Sequence, residues 1–399
     1  MPELELIQRR RAEPGAEHMR AATLPPSVYF GEEVYRQEIE RLFLRSWLNI
    51  GHVDMLPEAG DFFTREIGNE SLLFIRGTDG EIRGFYNVCR HRGTRLVEEK
   101  EGKKLRSIVC PYHSWAYSPD GKLVGAPHTD GLEAFDKSDF RLHPVKVGLW
   151  GGFIWANLDP RAKPFDKEFR EFFGKFQHID FSSLKLGAMR VYETNSNWKI
   201  LAENYSECYH CAPVHPGLNR VTYYMNGEND AWMARGARRR NFSGGWMDFS
   251  GDYTSMTVTG YTKRPPLRGT KPEDVRRIHY YVVFPGLFFS LHPDYLMIHR
   301  DWPKDPTHST IECEWYFDKD VMARDDFDPS DAVDMWDEIN RQDWAICERT
   351  QRGVMSRAWK SGRFSEQEPM VYDLDKYYAE QMRFAKPRFV SKASKRKAK

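Results

Sequence analysis

The stretches "CRHRG" (Cys89–Gly93) and "CPYH" (Cys110–His113) decide how this chain is read. Each short run supplies one cysteine and one histidine, as Cys89-x-His91 and Cys110-x-x-His113, with eighteen residues between His91 and Cys110. Four soft or borderline donors in two close pairs mark a metal site. A structural zinc usually draws two cysteines from one knuckle and two histidines from the other. Mixed donors within each loop suit instead a [2Fe–2S] centre, in which two thiolates hold one iron and two imidazoles the other; zinc remains the alternative.

The surrounding texture fits a small antiparallel β domain over residues 48–158. Short runs such as "SLLFIRG", "IRGFYNV" and "WGGFIWANL" are separated by Gly, Asp-Gly and Pro turns. Before it, Tyr35, Ile39, Leu42, Phe43 and Trp47 recur at helical spacing and predict a lead-in helix over 32–47. Beyond 160, "RIHYYVVF", "YLMIHRDW" and "TIECEWYF" read as strands. In the last, Ile311, Cys313, Trp315 and Phe317 are expected inward and Glu312, Glu314 and Tyr316 outward. A long helix begins at Asp328-Pro329, with Asp as cap and Pro in the first turn, and ends near Gly353.

Bulk properties exclude some partners. The 399 residues allow two domains, and a formal charge of +1 gives no global field for nucleic acid or an anionic membrane. Basic charge is local, in "RGARRR" (235–240) and in the tail "KASKRKAK", expected to be disordered over 386–399. No run of about eighteen apolar residues predicts a membrane span. The first residues, "MPELELIQRRRAEPGAEHM", show no apolar leader segment. Six unevenly spaced cysteines predict no disulfide framework and a reducing cytoplasm. No G-x-G-x-x-G after a strand and no Walker A run is present, so nicotinamide and flavin chemistry is expected on a separate protein.

A second cluster lies in "AENYSECYHCAPVHP" (202–216). A helix is predicted over about 197–211, placing Glu203, Glu207 and His210 along one face, with Pro213 ending it so that His215 returns from another angle. Cys208 and Cys211 sit near the expected helix end, unlike a redox Cys-x-x-Cys that opens a helix, and are expected to be bystanders. Two histidines need a third ligand, and a 2-His-1-carboxylate triad leaves positions on Fe(II) open for O2. On the late helix, residues 333, 336, 340, 343, 347 and 350 form one stripe in which Asp343 is the only ionised group. Such an Asp is costly to bury unless paired or metal-bound, though a simple hydrogen-bonded Asp would fit as well. Asp334, Asp337, Glu338 and Glu348 fall off the stripe and are expected to be solvated. His52, His128, His279, His292 and His299 lack partner spacing and are expected in packing or hydrogen bonding; Trp232, Trp246 and Tyr253 are expected to cover a loop.

With "CRHRG" and "CPYHSWAY" as flanks in a β-rich domain, the chain resembles the α subunits of Rieske non-haem iron (ring-hydroxylating) oxygenases over about residues 25–385. The gap between its motifs is slightly longer, which the hairpin "VEEKEGKK" can absorb. The resemblance implies an α+β fold: an all-β Rieske [2Fe–2S] domain (48–160) inserted in an α+β catalytic domain (161–385) with an antiparallel sheet and long helices. Segment 1–47 belongs with the latter. It implies Cys89, His91, Cys110 and His113 on the cluster, and His210, His215 and Asp343 on mononuclear Fe(II). The family's carboxylate–x2–His–x4–His motif matches Glu207, where aromatic-ring dioxygenases mostly carry Asp. That residue would link His210 to His113 of a neighbouring chain in a homotrimer, with Glu203 its nearest competitor. Electrons would come from NAD(P)H through a separate flavin/iron–sulfur reductase or ferredoxin. Glu at 207 resembles the branch acting on quaternary ammonium compounds; the alternative is an aromatic acid paired with an arginine of "RGARRR". Outside the family, a Rieske electron carrier or a zinc-binding non-enzyme would share parts of the pattern.

Overall fold

A computed structural model of the chain describes residues 18–229 and 241–383. It divides into two compact units: residues 39–186 form one, and the flanking segments, up to 38 and from 187, together form the other. The "RGARRR" run, Trp232 and the basic tail lie outside the described residues.

The unit 39–186 opens with a π-helical turn (Ile39–Phe43) that follows helix α1 (Glu32–Glu38), so the lead-in helix stops four residues before Trp47. Its main sheet has strands β1 (Leu48–His52), β2 (Phe62–Ile67), β3 (Glu70–Arg76), β4 (Ile82–Tyr86), β5 (Glu101–Gly102), β9 (Pro144–Trp150) and β10 (Phe153–Asn157) in the order β1-β10-β9-β4-β3-β2-β5, all antiparallel. The long hairpin between the metal motifs supplies β5, which pairs Gly102 and Glu101 with Phe62 and Phe63. A small sheet, β6 (Ile108–Val109), β7 (Ala116–Tyr117) and β8 (Leu123–Gly125), completes the β portion. Phe62, Leu73, Ile75, Phe85, Ile108 and Trp115 share a buried cluster with Cys89 and Cys110. The unit extends beyond the β-rich stretch because helices α2 (Phe165–Glu168) and α3 (Arg170–Phe176) stack on it, Phe173 lying 4.4 Å from Trp150 and Phe169 4.8 Å from Trp155.

The other unit is built on a seven-stranded sheet, in the order β11-β17-β16-β15-β14-β13-β12. Its strands are β11 (Leu184–Thr194), β12 (Gly227–Asn229), β13 (Phe242–Asp248), β14 (Arg277–Val283), β15 (Leu287–Leu291), β16 (Leu296–Asp305) and β17 (His308–Asp318), antiparallel from β12 through β17. Strand β17 departs from the expected alternation. Glu314 and Tyr316 are buried as fully as Cys313 and Trp315, because Arg300 of β16 ion-pairs with Glu314 at 2.7 Å on that face.

Helices α4 (Trp198–Tyr205), α5 (Cys211–Val214), α6 (Pro216–Val221), α7 (Lys319–Met322), α8 (Ser330–Val354) and α9 (Pro369–Gln381) complete this unit. Two of them carry the second cluster of donors. Helix α4 is capped by Asn197, whose carboxamide oxygen accepts the Lys199 N–H. It is anchored by Glu38, which receives Lys199 Nζ at 2.6 Å, Trp198 Nε1 at 2.8 Å and Tyr378 Oη of α9 at 2.5 Å. Helix α8 starts where Asp328 Oδ1 accepts the Ser330 N–H. Its inward face is tied down by Trp336 Nε1 donating to Tyr295 Oη and by the contact of Asn340 Oδ1 with His299 Nε2.

Candidate metal centres

The cysteine–histidine loops use one backbone solution twice. In the first, the Cys89 N–H donates to Thr94 O and the Gly93 N–H to Cys89 O; in the second, Cys110 N–H donates to Trp115 O and Ser114 N–H to Cys110 O. The left-handed position falls on Gly93 (φ +75°) in one and Ser114 (φ +56°) in the other. Asn87 secures the first loop through both its amide atoms on Val97, at 2.6 and 3.0 Å.

These loops bring the four expected donors together. The His91 and His113 rings lie 4.7 Å apart, His91 is stacked on Trp115, and both cysteines are buried free thiols. Burial pushes the Cys89 thiol up; Cys110 is held below its ordinary value, against its burial, by the amides of Tyr112 and His113. The Tyr117 hydroxyl accepts the Arg90 N–H at 3.0 Å and lies 3.4 Å from the Cys89 sulfur, placed to donate to it. His113 Nδ1 is buried without a partner among the described residues, as a nitrogen reserved for a metal would be. This donor set fits a mixed-ligand [2Fe–2S] group. Tyr117 had no spacing signal to single it out.

The second centre corrects the local structure expected from sequence. Helix α4 ends at Tyr205, where Ser206 Oγ bonds back to Ala202 O, so Glu203, Glu207 and His210 do not share a helical face. Glu203 turns into the interior, accepting from Tyr29 Oη at 2.7 Å. Glu207 folds over the following turn: its carboxylate accepts the amides of Tyr209 and His210, and Oε1 lies 2.6 Å from His210 Nδ1. The early helix end also brings Cys208 and Cys211 to a Cα separation of 4.9 Å, and they are joined as a disulfide rather than standing apart. Cys211 in fact opens α5.

His210, His215 and Asp343 converge, one ligand atom of each lying within 4.8 Å of the others. Asp343 Oδ1 is 3.2 Å from His210 Nε2 and 2.8 Å from His215 Nε2, the latter 128 residues earlier in the chain. Each imidazole has its Nδ1 engaged, His210 by Glu207 and His215 by Gln342 Oε1 at 2.7 Å. That leaves both Nε2 atoms for a metal, the arrangement in which an outer acceptor fixes the tautomer of a ligating histidine. Two imidazoles and one carboxylate fit non-haem iron. Burial alone would lower the His210 pKa, but Asp343 and Glu207 raise it to about 10; burial would raise Asp343, but His210 and His215 hold it at about 2. Gln342, adjacent to Asp343, is the outer residue that pattern reading passed over.

A cavity of about 250 Å³ opens on these residues, lined by Tyr205, Tyr224, Trp246, Tyr280 and Trp336 among others. Trp246 therefore does not cover a loop: it lies in β13, opposite His279, with Arg277 4.0 Å above its ring. Tyr253 is not part of the cavity lining; its ring lies 5.4 Å from that of Tyr261, tilted by 51°. Of the off-stripe acids, Asp337 accepts from Tyr192 and Arg341, and Glu348 accepts from Asn195, so neither is simply solvated. Among the remaining histidines, His52, His279, His292 and His299 are packed or bonded, whereas His128 is exposed at φ +59°.

Residues 46–136 match the Rieske [2Fe–2S] domain and residues 181–383 the catalytic domain of the ring-hydroxylating α subunit. The chain is a Rieske oxygenase α subunit. This oxygenase is 30% identical over 348 residues to the carnitine monooxygenase oxygenase subunit of Acinetobacter pittii, covering 85% of this chain and 87% of the relative. It is 29% identical over 391 residues to the glycine betaine monooxygenase oxygenase subunit of Pseudomonas aeruginosa, covering 90% and 89%. It superimposes with a TM-score of 0.74, at 26% identity, on a quaternary ammonium Rieske monooxygenase in complex with L-carnitine, over 92% of this chain and 97% of that one. As a member of this family the oxygenase carries a Rieske [2Fe–2S] cluster and catalytic non-haem iron. No helix among its described residues is long and apolar enough to cross a membrane.

Proposed function

We propose that this α subunit is the terminal oxygenase of a multicomponent system that hydroxylates or oxidatively demethylates a quaternary ammonium compound. The observation that carries the reading is the aromatic cavity opening on His210, His215 and Asp343. A permanent cation cannot donate hydrogen bonds, so it is held by the negative faces of aromatic rings, each contributing roughly 0.5–2 kcal/mol. Tyr205, Tyr224, Trp246, Tyr280 and Trp336 supply such faces. The relatives named for carnitine and glycine betaine support the same substrate class.

In this reading Cys89, His91, Cys110 and His113 hold the cluster, and His210, His215 and Asp343 hold Fe(II). Iron held there, supplied with electrons, activates O2 for insertion into a C–H bond. The chain's own part is positional. Glu207 and Gln342 keep a proton on the Nδ1 atoms of His210 and His215, the Tyr117 hydroxyl and nearby amides stabilise charge on the thiolates, and the aromatic walls orient the cation and exclude water. Electrons are assigned to NAD(P)H by way of a separate flavin/iron–sulfur reductase or ferredoxin. We assign Glu207 the further role of reaching His113 of a second copy, within a homotrimer in the cytoplasm. The report on a related quaternary ammonium monooxygenase concerns inter-subunit electron transfer, which supports that assignment.

Substrate-dependent O2 uptake with a surrogate reductase tests the function. Stimulation by carnitine, betaine or choline-type cations is expected. Stimulation by aromatic acids alone would replace this reading with the aromatic one, whose arginines in "RGARRR" lie outside the described residues.

A further inference from the structure

We propose that Cys208 and Cys211 form a thiol–disulfide exchange site that sets how firmly the adjoining histidine is held, with a glutathione-class monothiol as its reaction partner. The two cysteines are joined in the structure, and both line the cavity beside Glu207, His210 and His215. Their bridge closes a ring around Tyr209 and His210. No regular helix restrains this turn: α4 has ended at Tyr205 and α5 begins only at Cys211. Apart from the covalent link, the turn is held by the Cys211 N–H on Cys208 O at 3.1 Å and by the Glu207 carboxylate on the following amides. The bridge is thus the one covalent restraint across the segment that aims the His210 imidazole.

The site is also reachable. Tyr209, between the cysteines, is 56% exposed, Cys208 is half-buried and Cys211 is buried. A thiol approaching from outside meets Cys208 first. Cys313 and Cys347 offer no such chemistry, because both are buried and burial pushes their thiols well up.

The exchange balances without electrons from either metal centre. A monothiol, as thiolate, attacks Cys208 Sγ; the bond to Cys211 breaks, and Cys211 leaves as a thiolate that takes up a proton. A second thiolate attacks the outer sulfur of the mixed disulfide, releasing the oxidised thiol pair and the Cys208 thiolate, which is protonated in turn. Net, one protein disulfide and two thiols give two protein thiols and one small disulfide. The opened turn is left to its hydrogen bonds alone, so the Glu207 contact that orients His210 is less firmly held; loss of a hydrogen-bonded support of that kind costs about 10–100-fold in metal affinity. This consequence rests on His210 being an iron ligand; the existence of the exchange site does not.

The test uses full-length holoprotein purified in air. Denaturing alkylation followed by mass mapping should find the 208–211 segment cross-linked, and doubly alkylated after incubation with glutathione. Amide exchange over 206–215 should rise on reduction and fall again on reoxidation. Iron release to a chelator should accelerate about tenfold, with the cluster's visible and EPR spectra unchanged. The Cys208→Ser/Cys211→Ser double variant should match the reduced protein and ignore the thiol. Two alkylated cysteines before any reductant would overturn the proposal, as would a broken bridge that alters neither amide exchange nor iron release. If the protein takes up no mononuclear iron yet the bridge and the exchange respond as described, the exchange site stands and the iron assignment falls.

Discussion

Gln342 Oε1 lies 2.7 Å from His215 Nδ1, so the residue beside Asp343 orients the imidazole that Asp343 also faces. Gln342 is itself oriented by donating to Glu338 one turn earlier. A single turn of α8 thus supplies both a candidate ligand and the support for another.

Removing that support should loosen the metal without unfolding the helix. Gln342→Leu is expected to weaken iron retention by about 10–100-fold, read by chelator competition, and to leave the cluster spectrum intact. Asp343→Ala should abolish mononuclear iron, again with the cluster preserved. Loss of the cluster colour in either variant would count against the assignment.

Metal uptake should depend on pH through His210. Its pKa in the metal-free chain is raised to about 10, so near neutrality a metal must displace a proton from it. Apparent affinity should therefore climb about tenfold per pH unit as pH rises toward 10, for this one proton. Anaerobic Fe(II) titrations in buffers of different ionisation heat measure the release directly; proton-free binding at pH 7 would contradict the geometry.

Tyr117→Phe deletes the hydroxyl beside Cys89 and, with it, the acceptor of the Arg90 N–H. A neutral hydrogen bond contributes about 0.5–1.5 kcal/mol, which for a one-electron couple corresponds to roughly 20–60 mV. Because the bond favours the more negative, reduced cluster, the midpoint potential should fall. Spectroelectrochemical titration of the two proteins decides it.

Glu203 should impose a cost that grows with pH. Burial pushes its carboxyl up to about 7, only partly offset by the Tyr29 hydroxyl and Lys199, which lower it. An acid whose pKa is higher folded than unfolded favours the fold when protonated. Its penalty is absent below the unfolded value of about 4.5, grows as pH rises to about 7, and is constant above. Glu203→Gln should therefore stabilise the protein at pH 8, by on the order of 1–3 kcal/mol, and the gain should vanish at pH 4.5. Denaturant melts at the two pH values separate this from a pH-independent packing effect.

The residues most legible in sequence were those whose chemistry demands spacing. Cys89, His91, Cys110 and His113 were legible because four candidate donors that are to converge must come from short segments, and Asp343 stood out as a charge in an otherwise uncharged stripe. What escaped was set by tertiary context. The end of α4 depends on Ser206 bonding back to Ala202, an option any helix serine has. Trp246 sits in "NFSGGWMDFS", where paired glycines hide a strand whose backbone packs closely on its neighbours. Glu314 looked outward because alternation assumes one solvated face, whereas Arg300 covers the other. Gln342 and Tyr117 act by touching a candidate ligand, and nothing in a linear pattern marks that.

The paired cysteine–histidine loops also differ in what holds their shape. In the first, the left-handed turn falls on Gly93, a residue that visits such a conformation freely even in an unstructured chain. In the second it falls on Ser114, for which the same conformation costs about 1–2 kcal/mol. The first loop takes up its turn without that cost, whereas the second is held in it between the paired strands β6 and β7. Of the two candidate donor pairs, Cys110 and His113 thus depend more on the surrounding sheet for their shape.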